Sequence, residues 1–90
     1  MNIVEYKKIN EKKVLFIFDN GDRRSFCIDR MLMDDIPQAQ QYRWKKMFEN
    51  GLFYSNLYIS QGEPVWEGWV ELIDDEVIKY TEEYKEGLAC

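Results

Sequence analysis

The chain has 90 residues, with 17 Asp/Glu against 12 Lys/Arg, 46% hydrophobic residues and no histidine. A chain this short buries only about 60% of the surface its unfolded form exposes, so nearly every large apolar group is needed for folding. The composition excludes a disordered chain and fits one domain over residues 1–90. The missing histidine removes the commonest general base and metal ligand, and with it the usual serine triads.

"NIVEYKKI" reads as a first strand and "KKVLFIF" as a second. The unbroken apolar run of residues 14–18 predicts a central strand covered on both faces. "DNGD" follows, and Asn20-Gly21 is a strong hairpin signal because both residues tolerate positive φ. Either a two-residue loop or a type I turn over Asp19-Asn20-Gly21 with a bulged glycine closes it. The bulged form is favoured, because it sets Phe26 opposite Val14 and Arg23 opposite Ile17.

"RRSFCI" returns antiparallel as the third strand. From Asp29 the period changes: a short helical turn capped by Asp29 is expected, then a break at Ile36-Pro37, then a helix over about residues 37–50 ended by Gly51. Trp44, Met47 and Phe48, with Gln40 or Gln41 a turn back, form its apolar stripe, and Arg43, Lys45 and Lys46 make one side basic. "LFYSNLYIS" is the expected fourth strand and "QGEP" a turn. "VWEGWVEL" is the expected fifth strand, with Trp66, Gly68 and Val70 on one face and Glu67, Trp69 and Glu71 on the other. Asp74 and Asp75 cap a closing helix with apolar positions Val77, Tyr80, Thr81, Tyr84 and Leu88, ended by Gly87. The expected architecture is α+β: an antiparallel meander of about five strands, a helix between strands three and four, and a C-terminal helix packed on the sheet.

Residues 1–50 hold ten Lys/Arg against eight Asp/Glu, whereas residues 51–90 hold two against nine. The acidic half repels phosphate and suits a basic protein surface, including that of a second copy, so homodimerisation is open. A basic group of Lys7, Lys8, Lys12, Lys13, Arg23 and Arg24, with Tyr6 and Phe26 nearby, is the one arrangement that could stack single-stranded nucleic acid. The net charge of −5 argues against direct nucleic-acid binding.

Asp34-Asp35 and Asp74-Asp75-Glu76 are adjacent carboxylates. On a helix start they diverge by about 100° per residue, so capping explains them better than paired acid/base catalysis. No glycine-rich phosphate loop is present. Cys27 is expected to be ordinary packing and Cys90 a free tail thiol; neither suggests a disulfide framework or a zinc site. No export signal or membrane-spanning stretch is read, which predicts a cytoplasmic protein without membrane contact. No catalytic residue, metal or cofactor is expected, and the chain is not expected to be an enzyme.

The hairpin "VLFIFDNGDRRSFCI", the strand "NLYIS", the tryptophan of "PVW" and the closing "ELIDDEVIKY" resemble the small bacterial and phage family known as domain of unknown function 2442. The features fall on Asn20-Gly21, Ile28-Asp29, Trp66, Gly68, Glu71, Asp74-Asp75 and residues 77–80. Gly68 stands one place early, Trp69 occupies the family's glycine position, Glu71 replaces an aspartate, and residues 30–52 are longer and more helical. The resemblance implies an α+β fold and a partner-binding or regulatory accessory module. Some relatives are joined to a helix-turn-helix domain, and others are thought to be made beside a second small protein. The expected partner is therefore another protein, a neighbouring-gene product or a DNA-binding regulator. The alternative is a mobile-element inhibitor whose acidic face occupies a host protein's nucleic-acid site. Trp66 is expected in the core, and Trp69 with Glu67 and Glu71 forms the candidate protein-contact group.

Overall fold

Residues 13–18 supply the centre of the molecule, because alternation along an apolar run gives two faces that both need cover. The structure, a computed structural model, describes residues 2–85. Strand β2 (Lys13–Phe18) lies between β1 (Ile3–Lys8) and β3 (Arg23–Cys27), antiparallel to both. Val14, Phe16 and Phe18 enter the core, while Leu15 on the opposite face is also buried. Phe26 stands opposite Val14 and Arg23 opposite Ile17, the register expected of the bulged turn. That turn is locked locally. The Phe18 amide donates to the Asp22 carbonyl, the Asn20 side-chain oxygen accepts from the Asp22 amide, and Gly21 takes a φ of +88°.

The 3-10 turn Ile28–Leu32 begins after Cys27 with no side-chain cap, so the expected Asp29 cap is corrected: Asp29 instead pairs with Lys12 at 3.4 Å. Helix α1 (Gln38–Glu49) starts after Pro37, whose ring fixes φ, and ends at Asn50 with Gly51 beyond it. Trp44 and Met47 are its buried residues, as the narrow stripe predicts.

The five-stranded meander is replaced by two sheets. Strands β4 (Leu57–Ser60), β5 (Glu63–Trp66) and β6 (Val70–Glu71) form a separate antiparallel sheet in that order. It is tied to β1 where the Ile3 amide donates to the Gly62 carbonyl (3.0 Å) and the Tyr6 hydroxyl to the Leu57 carbonyl (3.0 Å). The expected fifth strand folds back on itself at Gly68, so Val65 faces Glu71 and Trp66 faces Val70.

The closing helix α2 (Asp74–Tyr80) is shorter than its apolar spacing predicts. Thr81 turns its hydroxyl back onto the Val77 carbonyl, and the Arg24 guanidinium donates to the Ile78 and Thr81 carbonyls (3.2 and 2.9 Å), serving acceptors that another helical turn would have used. The chain then adds β7 (Glu82–Glu83) to the free edge of β3. Asp74 and Asp75 sit in the first turn rather than at the cap; the Glu76 carboxylate accepts from the Ile73 amide and the Glu63 carboxylate from the Asp74 amide. Gly87, Leu88 and Cys90 lie outside the described residues. Cys27 is disulfide-bonded, which corrects the expectation of ordinary packing.

One aromatic cluster joins the parts. Trp66 meets Trp44 edge-on (4.9 Å between centroids), Phe26 (5.7 Å) and Phe53 (5.9 Å), so the helix, both sheets and the loop before β4 share one packed centre. Each such pair contributes about 0.5–1.5 kcal/mol beyond simple burial.

Candidate functional site: a groove beside Trp69

The fold-back at Gly68 creates the site. Trp66 ends β5 fully buried, its indole N–H donating to the Phe53 carbonyl at 2.8 Å. The Trp69 amide then closes a four-residue turn onto the Trp66 carbonyl (2.9 Å), with Gly68 at φ +81° in its third position. That sign suits a type II turn, where glycine is the favoured residue. Trp69 is thereby brought round to lie half-buried against the edge of the core. The expectation that it simply points to the opposite face from Trp66 along one strand is corrected, since a turn separates the two.

Between this turn, α1 and the start of α2 runs an open groove of about 470 Å³. Met31, Trp44 and Trp66 give it an apolar floor, all of them buried core residues. Trp69 and Ile73, the latter 51% exposed, line it nearer the surface. The floor is held from behind: the Arg30 guanidinium takes both Asp35 oxygens (3.0 and 2.9 Å) and lies 4.8 Å from the Tyr80 ring centre, bracing the turn that carries Met31. The same contact holds the Asp35 carboxyl below its ordinary value.

The lining also carries charge of both signs. Arg43, from α1, and Glu71, from β6, both line the groove and both are exposed. Neither side chain has an ion pair or hydrogen bond among the described residues, and the same holds for the Gln40 side-chain carboxamide and the Trp69 indole N–H. Glu76 also lines the groove, but its carboxylate is already engaged with the Ile73 amide.

Of the three expected contact residues, the structure brings Trp69 and Glu71 to one groove and leaves Glu67 out of its lining. Glu67 is at the tip of the turn, where its amide donates to the Asn56 carbonyl and its carbonyl accepts from the Asn56 side chain. Arg43, Gln40 and Ile73 are additions to the expected contact group. Arg43 was visible as part of a basic helix face, but nothing local tied that face to the second tryptophan.

The basic group near the first strands is not assembled into a stacking platform. Lys8 pairs with Glu11, Lys12 with Asp29, Arg24 is engaged with the end of α2, and Phe26 is wholly buried. All four ion pairs found among the described residues join partners within residues 1–50. The described carboxylates after residue 50 therefore keep their charge uncompensated by any ion pair. No three metal-ligating side chains come together among the described residues, and no described helix is long and apolar enough to cross a membrane. Compared with known proteins, the chain matches no family model, no curated protein and no solved structure.

Proposed function

We propose that this chain is a non-catalytic protein-binding module of regulatory or accessory type, which docks on another protein through the Trp69 groove. The observation that carries this reading is a groove of mixed apolar and polar lining in which Arg43, Glu71 and the Trp69 indole N–H have no hydrogen-bond or ion-pair partner among the described residues. Large aromatics in partly desolvated pockets are the usual anchors of interfaces. The uncompensated carboxylates of the second half favour a basic partner and would speed the encounter. The resemblance to the domain-of-unknown-function family, with its helix-turn-helix fusions and paired small proteins, supports a cytoplasmic DNA-binding regulator or neighbouring-gene product of bacterial or phage origin as that partner.

The test is to recover partners from the native cell, reconstitute each with purified protein, and compare wild type with Trp69→Ala. Association should weaken by at least about tenfold, roughly 1.4 kcal/mol, with the melting temperature within a few degrees of wild type. Unchanged affinity sinks the proposal, and outright unfolding makes Trp69 a core residue.

The carboxylates after residue 50, none of them in an ion pair among the described residues, also favour a second reading, an inhibitor that occupies a nucleic-acid site on a host protein. Oligonucleotide would then compete with the chain for its partner, and binding would fall steeply with salt. Salt-insensitive association without competition removes this reading.

A further inference from the structure

The geometry points to the occupant of the groove: an extended peptide segment whose large apolar side chain enters beside Trp69, flanked by a basic residue for Glu71 and an acidic residue for Arg43. This rests on the protein-binding reading above and gives it a ligand chemistry. Trp69 and Ile73 present apolar surface at the mouth, above a floor of Met31, Trp44 and Trp66 that is already buried, so a side chain seated between them gains most if it is apolar. The two charges are of opposite sign, are contributed by different elements and are not paired with each other. A ligand with one charge satisfies one of them and meets like charge at the other, a penalty that is greater for all-acidic segments because Glu76 adds a second carboxylate to the lining. A ligand with both satisfies both, and its cationic group can in addition lie against the indole of Trp69. The volume, about 470 Å³, falls in the range of sites that enclose small ligands rather than folded domains.

The experiment uses the whole chain and three synthetic hexapeptides with the same central leucine, flanked by Glu and Lys, by two Lys, or by two Glu. Trp44 and Trp66 are buried, so a peptide-dependent change in tryptophan emission or in its quenching by acrylamide reports chiefly on Trp69. The mixed peptide should bind about tenfold tighter than either single-sign peptide. Arg43→Glu should move the preference to the two-lysine peptide, and Glu71→Lys to the two-glutamate peptide. Both residues are exposed, so melting curves should stay near wild type.

Equal affinities, no binding up to millimolar peptide, or a wild-type preference for one sign overturns the inference, as do charge reversals that leave the preference in place. Light scattering that shows the groove filled by a second copy, with dimerisation lost on Trp69→Ala, overturns it in favour of self-association. If a recovered partner loses affinity on Trp69→Ala while no peptide is discriminated, the binding reading stands and the ligand chemistry alone fails.

Discussion

Two turns, Asp19-Asn20-Gly21 and Glu67-Gly68-Trp69, each close an antiparallel hairpin across three residues, yet they serve opposite ends. In the first, glycine is the last loop residue, and the exposed Asp19 and Asn20 precede it. In the second, glycine is in the middle and the last loop residue is an indole folded against the core. A Cβ at either glycine would meet nothing within 4 Å, so neither is required by crowding. Positive φ alone requires them. The same backbone device thus ends a strand pair in one place and sets an indole at the groove in the other.

The largest effect on this comparison should come from Trp66→Ala. It removes a fully buried ring from the aromatic centre and leaves the Phe53 carbonyl without its donor. A cost of about 3–5 kcal/mol is expected, a large part of the stability of so small a domain. Thermal melts should show the cooperative transition collapse; a melt near that of wild type would mean that the two tryptophans are not core and rim.

Next are Gly21→Ala and Gly68→Ala, each expected to cost about 1–2 kcal/mol for placing an L side chain at positive φ. Their melts should fall together. Only Gly68→Ala should also weaken the partner association, because only that turn positions Trp69; equal association defects would erase the distinction.

Tyr54→Phe comes third. The Tyr54 hydroxyl donates to the Asn10 and Lys13 carbonyls, binding the loop before β4 to the β1–β2 connection, and its loss should cost about 1 kcal/mol. Burial pushes this phenol up to about 12 from 10.0. Its contribution is therefore complete below pH 10 and is lost as pH rises toward 12, because the unfolded chain releases the proton first. Wild-type stability measured by denaturant titration should show an alkaline decline in that window, shallower in the variant. Smallest in stability is Trp69→Ala, expected to lower the melting temperature by a few degrees at most, about 1 kcal/mol or less.

Much of the first hairpin was legible because its signals agree. Asn20-Gly21 marks the turn, apolar residues fill the strand, and the bulged form gives the observed pairing of Val14 with Phe26. Helix α1 was legible from Pro37, the Trp44 and Met47 stripe and Gly51. The second hairpin was not, since "VWEGWVEL" alternates well enough to pass for one strand and its turn has no polar run to announce it. Helix α2 was overextended because Tyr84 continues the helical spacing, while Arg24, 54 residues before Ile78, takes the carbonyls at the helix end. Trp69 and Glu71 were visible as candidates, but their neighbour Arg43 was not, since its position depends on how α1 crosses the second sheet.

By itself the sequence determined what local chemistry can decide: turn conformations set by φ, burial set by periodicity, and the division of charge between the two halves. Tertiary structure decided where the expected fifth strand folds back, where the last helix stops, and which charges line the groove. Those outcomes depend on hydrogen-bond partners and packing surfaces from distant parts of the chain, whose cost or benefit appears only once the elements are in contact.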